Sequence, residues 1–544
     1  RACGGGRVSG AFPHRRPRES AAHADPNPAD KRPLIAGRMN FEFIEDFNKK
    51  LKFHTTGVNR IFERVFQKNS VYFESEIPDT KLKTARNEMF PANPETEKIK
   101  KSNSNHKTFD NLPPNIISSL EKSDVEIDLT ENIVSTLKKL AEVSPYFTEM
   151  LAANPTLIKD LSDFDKQFAP ENYLEILLSK IERENDFPRR LAALRKIWAR
   201  FLFEIITFDV FEKITPAETK RAQTRLAEAS IETAIFITKS ELENKFSIKL
   251  KHFQFAVLAL GKLGGKGVDY GSDLDLVLVY DDEQNLPVEN LTHAEFYARA
   301  VEIFVNSLSA MTRDGQLYRV DLRLRPDGKN GAPAIGKTAF LDYLKNRSAI
   351  WEWLAYVKIR GVAGDMGLAD FVGQEARKII HENAQIFHTA DENFEQLKME
   401  TLRIRESLER QKSTSRKGRE IDIKFGEGGM LDVYFAVRFL QLRDNLPDSG
   451  ENRSTLFMLE KLFENGSISE EDFRNFSGGY KFLSDLDHIL RLTVGRSTRL
   501  PLANRNSLET IVQRMKLGTI ENLLETLTLH RLNLRASFEN VLKI

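Results

Sequence analysis

A single cysteine, at position 3, is the only thiol in the 544 residues. It leaves no disulfide framework, zinc knuckle or catalytic thiol for the body of the chain, and it points to a reducing cytoplasm. Net charge is almost missing as well: 80 Lys and Arg stand against 79 Asp and Glu, which leaves +1. That balance argues against a generally basic nucleic-acid binder and against an acidic disordered chain, so any charged partner has to be met by a local patch. Long apolar runs are absent, since stretches such as Phe255 to Leu260 fall far below the ~18 residues of a membrane helix. The ten histidines show no metal-ligand spacing, and no short-period repeat is visible.

What is present is a chain long enough for several domains, with 41% hydrophobic residues to fill more than one core. Residues 1–38 carry eight basic side chains against three acids and five of the 20 prolines. We read them as a disordered basic head, translated ahead of a start at Met39. An organellar transit peptide is the rival reading of an Arg-rich segment, but Asp25, Asp30 and the prolines oppose an amphipathic helix. Residues 39–115 read as weakly helical and then as a linker, where Pro, Asn, Ser and Lys collect between Pro91 and Pro114.

A helical domain is expected over 116–250. Its clearest signal is Leu194, Ile197, Trp198, Phe201, Leu202, Ile205 and Ile206, which mark one apolar face of a buried helix. The period changes at His252. Phe253 to Leu260 reads as a buried strand ending at a glycine cluster, Leu274 to Tyr280 as a second strand, His293 to Thr312 as a helix and Leu317 to Leu324 as a third strand. We therefore expect an α+β, mostly helical protein. A small mixed-sheet core, 251–370, would be flanked by the helical domain before it and by a C-terminal helical bundle, 371–544.

The densest constellation runs from Gly261 to Leu276. Asp273 and Asp275 are two apart at the start of a strand, where the side-chain period of 2 sends both carboxylates to one side. Two such acids offer Mg²⁺ the hard oxygens it prefers, with water and phosphate oxygens as the remaining ligands. The preceding glycines, Gly264 and Gly265 among them, would let backbone amides approach a triphosphate, and Ser272 adds a hydroxyl. In Tyr318 to Pro326 the expected strand places Asp321, Arg323 and Arg325 on one face, opposite Val320, Leu322 and Leu324. A third acid flanked by arginines suits phosphoryl transfer, the acid completing a two-metal site and the arginines holding phosphate charge.

Each feature alone has a plainer explanation. A glycine-rich turn is usually only a turn, an Asp-x-Asp pair is often solvated, and alternating arginines commonly form an outer face. Their order and spacing in one small domain point instead to a Mg²⁺-dependent nucleotidyltransferase. Trp198, Trp351 and Trp353 read as core residues, Lys424 and Asp432 as an ion pair or helix cap around Gly428 and Gly429, and Arg403 to Arg419 as a solvated helix end and loop. That run is the one basic patch of the body, and without interleaved aromatics it does not support nucleic-acid binding.

The segments Gly-Lys-Leu-Gly-Gly (261–265), Tyr-Gly-Ser-Asp-Leu-Asp-Leu (270–276), Val-Asp-Leu-Arg-Leu-Arg-Pro-Asp-Gly (320–328) and Gly-Gly-Met-Leu-Asp-Val (428–433) resemble the glutamine synthetase adenylyltransferase family, within the polymerase-beta-like nucleotidyltransferase superfamily. The similarity runs from about Ser144 to Pro501 and is to one unit, whereas family members usually carry an AMP-adding and an AMP-removing unit. The resemblance implies transfer of AMP from ATP to a tyrosine of glutamine synthetase. Asp273, Asp275 and Asp321 would be the catalytic metal-binding acids, with Asp321 helping to deprotonate the hydroxyl. Gly264, Gly265, Ser272, Arg323 and Arg325 would contact the nucleotide, Mg²⁺ would be the cofactor, and a PII-type signalling protein would be a further partner. No nucleic acid or membrane is implied. Phosphorolytic removal of AMP and a non-catalytic adaptor of the same pathway stay open, the wording of the motifs favouring addition. Gly267 and Tyr434 stand where the family generally has glutamates.

Overall fold

The computed structural model describes residues 112–542, apart from 124–126, 287, 391–393, 413–418, 449 and 496–497. The expected basic head, 1–38, and nearly all of the linker region lie outside the described residues.

Among the described residues, six helices lead into the sheet: α1 (Pro114–Lys122), α2 (Glu131–Val143), α3 (Pro145–Ala153), α4 (Tyr173–Ile181), α5 (Phe187–Val210) and α6 (Pro216–Phe246). The periodic run from Leu194 to Ile206 lies in α5, where all of its residues except Ile197 are buried. α6 starts where local chemistry dictates: Pro216 takes the first turn, and Thr215 and Glu218 exchange hydrogen bonds in a capping box.

The sheet follows with β1 (Phe255–Ala259), the one-turn α7 (Gly261–Gly264), β2 (Leu274–Tyr280), α8 (His293–Ser309), β3 (Val320–Asp321), β4 (Ile335–Gly336), α9 (Lys337–Asn346), α10 (Ile350–Tyr356) and β5 (Arg360–Gly364). β1 lies between β2 and β5, antiparallel to both, while β3 and β4 add to the far edge of β2 in parallel. The chain then forms α11 (Met366–Ala390), α12 (Glu395–Lys412), β6 (Glu420–Asp422), α13 (Met430–Arg443), α14 (Thr455–Glu464), α15 (Glu470–Val494), β7 (Arg499–Pro501), α16 (Arg505–Arg514) and α17 (Ile520–Leu542), with β6 and β7 paired as a small antiparallel ribbon. The α+β, mostly helical class expected from the sequence is the observed one, with the small mixed sheet among helices.

Strand alternation divides the core. Phe255, Val257, Ala259, Leu274, Leu276 and Leu278 pack with the N-terminal helices. Ala256, Leu258, Leu260, Val277 and Val279 pack with α9 to α17. Both faces of β1 and β2 are covered, which is why these strands read as continuous apolar runs.

Three expectations are corrected. The third strand is only Val320–Asp321, because Asp321 Oδ1 accepts from the Arg323 N–H (2.9 Å) and Arg325 N–H donates to the Leu322 carbonyl (3.2 Å), which turns the chain before Pro326. Arg323 and Arg325 therefore do not share a strand face with Asp321. Trp351 is exposed, unlike Trp198 and Trp353. Arg405, in the run read as solvated, is fully buried. Among the described residues no helix is long and apolar enough to cross a membrane.

Candidate active site

The acids meet at the edge of the sheet. β2 and β3 run parallel with Asp275 and Asp321 as direct register partners, and Asp273 lies one residue before β2. Asp273 is exposed while Asp275 and Asp321 are half-buried. Burial first, and then repulsion by Asp321 and Asp273, pushes the Asp275 carboxyl up to about 6, against the opposing pull of Lys424 and Arg438. A carboxylate held under repulsion by two others has the donor chemistry that a hard divalent cation satisfies. The three acids do not form a closed cage, and among the described residues no group of three such side chains is disposed to hold a metal.

Asp321 is turned toward Arg323, whose Nε lies 2.9 Å from both carboxylate oxygens and whose Nη2 pairs with Oδ2. Burial works against the Asp321 charge, but the Arg323 hydrogen bonds hold it below the ordinary carboxylate range, so it remains ionised at neutral pH. The Arg323 side chain is two-thirds exposed, which leaves it able to swing from Asp321 to an incoming anion. Arg325 is a staple: its guanidinium donates to the carbonyls of Leu322 (2.8 Å), Gly331 (3.1 Å) and Lys329 (3.3 Å), closing the turn after β3.

The glycine loop differs from its expected use. The amides of Gly264 and Gly265 already donate to the Leu260 (2.8 Å) and Gly261 (3.1 Å) carbonyls inside the turn. A Cβ on Gly264 would strike the Lys358 carbonyl, so this glycine admits the chain's own backbone; at Gly265 the nearest atom would be at an ordinary 3.5 Å. Ser272 is buried, and its hydroxyl accepts from the Asp269 N–H at 3.1 Å.

Three further residues, none of them among the candidate site residues expected from the sequence, stand beside the acids. Gly261 sits at φ +55°, and a Cβ there would land on Asp275 Oδ2, well inside van der Waals contact. Gly261→Ala should therefore displace the Asp275 carboxylate and reduce any activity by roughly 10²-fold, on the scale set by a 1 Å misplacement. A steady-state assay with an unchanged rate would show that the position of Asp275 is immaterial. Lys262, held down to about 8 by burial against the pull of Asp487, pairs with Asp487 at 3.0 Å. Arg438, on α13, acts on Asp275 with Lys424, and neither cation forms an ion pair among the described residues. Arg438 is the lone charged side chain between Asp432 and Arg443 in an otherwise mostly apolar α13. Of the two readings of Lys424 and Asp432, an ion pair or a helix cap, the ion pair does not form; Asp432 pairs with Arg405 and accepts from the Gly428 N–H (2.8 Å) just before α13.

Two family models and several curated proteins match parts of the chain. Residues 134–372 match the family model described as Glutamate-ammonia ligase adenylyltransferase, and residues 399–542 match that of GlnD PII-uridylyltransferase. The chain is 29% identical over 395 residues to a bifunctional glutamine synthetase adenylyltransferase/adenylyl-removing enzyme of Psychromonas ingrahamii, covering 68% of this chain and 40% of the relative. Proteins of the same name from Thioalkalivibrio sulfidiphilus (27% over 399 residues, 69% of this chain and 40% of the relative) and Idiomarina loihiensis (29% over 370 residues, 65% and 38%) are similar to it. The chain thus spans about two-fifths of the length of the curated relatives it matches. Residues 134–372, which hold all three acids and the sheet that carries them, are the part of the chain that is similar to the glutamate-ammonia ligase adenylyltransferase family.

Proposed function

We propose that this chain is a cytoplasmic Mg²⁺-dependent nucleotidyltransferase that moves AMP from ATP to a tyrosine of glutamine synthetase. The observation that carries the reading is the parallel pairing of Asp275 with Asp321, with Asp273 two residues before Asp275, beside two cations that have no ion pair among the described residues. Asp273, Asp275 and Asp321 would hold the metal. When bound, Mg²⁺ supplies neutralisation of the α-phosphate and of the pyrophosphate that leaves.

This chain's residues do the rest. Asp321, ionised, accepts the tyrosine proton as the tyrosine oxygen bonds to the α-phosphorus and the bond to the β-phosphate oxygen breaks. Arg323, released from Asp321, and Lys424 and Arg438 hold the phosphate oxygens, with Ser272, Gly264 and Gly265 shaping the loop beside them. The names of the relatives also include AMP removal, which the same acids would serve with phosphate as the nucleophile. The match of residues 399–542 supports a PII-type signalling protein as the regulator.

The test is label transfer from α-labelled Mg·ATP to glutamine synthetase. Label on the target supports addition. Release of ADP from adenylylated target only when phosphate is supplied would replace it with removal, and inactivity in both directions would favour a non-catalytic adaptor.

A further inference from the structure

Behind the acids, the loop Val268–Ser272 is held from two sides: Thr224 of α6 accepts from the Val268 N–H at 3.2 Å, and a helix of the C-terminal bundle, α15, grips Asp269 and Tyr270. Three residues of α15 do this. His488 is fully buried, with Nδ1 3.1 Å from Asp269 Oδ1 and Nε2 3.0 Å from Asp209 Oδ2 on α5. Its ring stacks on Tyr270 at 5.6 Å, and the Tyr270 hydroxyl donates to Asp209 Oδ2 at 2.7 Å. Arg491 donates to the Tyr270 carbonyl (2.8 Å) and to Asp487 Oδ2 (2.9 Å), while Asp487 receives Lys262 at 3.0 Å. Asp269 and Tyr270 are the residues immediately before the Gly271-Ser272-Asp273-Leu274-Asp275 segment, and Asp269 N–H is the donor that fixes the Ser272 hydroxyl.

From this geometry we infer that Asp487, His488 and Arg491 of α15 are positioning residues for the reaction. They clamp the loop that carries Ser272 and leads into Asp273 and Asp275. The inference rests on the nucleotidyltransferase reading of the acids. The loop lies in residues 134–372 and α15 in residues 399–542, so the clamp joins the two separately matched parts of the chain. Its bonds, unlike those of a packing contact, are directional and fix the loop in both angle and register.

The electrostatics agree. Burial opposes a charge on His488, yet Asp269 and Asp209 raise it to about 9, so the imidazolium is present at neutral pH between two ionised acids. The other charged groups facing the cluster include Lys220 from α6, 3.9 Å from Asp269, Arg514 from α16, 2.8 Å from Asp209, and Lys424, which is drawn by Asp487 and opposed by Arg491. Because the folded-state value is raised, this support is complete below the ordinary histidine range and is lost as pH rises through about 9. Lys262 titrates at about 8, so the test is made at a fixed pH of ~7, where both groups are charged.

Full-length wild type, His488→Gln and His488→Gln/Asp269→Asn are compared by amide hydrogen exchange at residues 268–272, by kcat and KM for ATP, and by melting temperature. In His488→Gln the loop amides should exchange at least about tenfold faster while those of α17 are unchanged, since local opening is read separately from global unfolding. The kcat should fall at least about tenfold with a smaller change in KM, as for a misplaced group in the transition state. Adding Asp269→Asn removes the stranded charge and should return exchange and kcat toward wild type. Unchanged loop exchange, or a uniform rise across the chain that follows a lower melting temperature, would overturn the inference. If His488→Gln does not fold, Arg491→Lys, which keeps the charge and loses the fork that grips the Tyr270 carbonyl, takes its place under the same criteria. If wild type transfers no label the proposed function fails, and the exchange result alone decides whether α15 positions the loop.

Discussion

Replacing Asp275 with Asn should cost the protein its activity and make its metal-free form more stable. Asp275 is half-buried on β2, faces Asp321 across the parallel pair, and has its carboxyl pushed up to about 6 by burial and by the neighbouring acids. An ionised carboxylate kept in such a place at neutral pH is a strained group, and the amide has nearly the same shape without the charge. We expect a gain of about 1–2 kcal/mol, seen as a higher melting temperature in chelator-treated protein. Transfer should fall by at least about 10²-fold, the scale of losing one group aimed at transition-state charge. A melting temperature that drops together with activity would mean that Asp275 is a structural acid and that the repulsion is already balanced.

Arg405→Met should produce the largest loss of stability. Arg405 and Asp432 are both fully buried; Arg405 Nε pairs with Asp432 Oδ1, Nη1 lies 3.2 Å from Glu409, and Nη2 donates to the Gly426 carbonyl at 2.9 Å. Removing the cation strands the Asp432 charge in a dry interior, which costs about 3–5 kcal/mol. Arg535, 3.7 Å from the other Asp432 oxygen, compensates in part. The cost also reaches the site, because Asp432 fixes the Gly428 amide in the loop that carries Lys424. Denaturant unfolding of the single variant and of Arg405→Met/Asp432→Asn separates the terms. The double variant should recover part of the loss, and a single variant within about 1 kcal/mol of wild type would show that the pair is not what holds the loop.

The parts of this site that periodicity and spacing encode were legible in the sequence. The apolar runs of β1 and β2 are buried on both faces, and the two-residue spacing of Asp273 and Asp275 at the start of β2 brings both to one edge. What stayed hidden depends on side chains that redirect the backbone or arrive from distant sequence. Asp321, Arg323 and Arg325 alternate as in a strand, but Asp321 captures the Arg323 amide and Arg325 captures three carbonyls, so hydrogen bonding overrides the strand pattern. β5 was missed because Gly361 and Gly364 disfavour strands. Gly361 is needed where Ala369 packs closely, and Gly364 where the backbone, at φ +82°, presses on the Phe255 carbonyl. Arg405, read as solvated, found its buried partner 27 residues away, and Lys262 meets Asp487, Lys424 and Arg438 act on Asp275, and His488 meets Asp269 only after the chain has closed on itself. No local rule reports such encounters.

The central claim is that the acids of β2 and β3 bind a divalent cation together with the phosphates of a nucleotide. It is tested most directly by anomalous diffraction from crystals grown with Mn²⁺ and a non-hydrolysable ATP analogue. The account predicts a peak ligated by Asp273, Asp275 and Asp321, with Arg323 swung from Asp321 onto phosphate. A nucleotide seated elsewhere, or a peak that leaves Asp275 and Asp321 unligated, would contradict it.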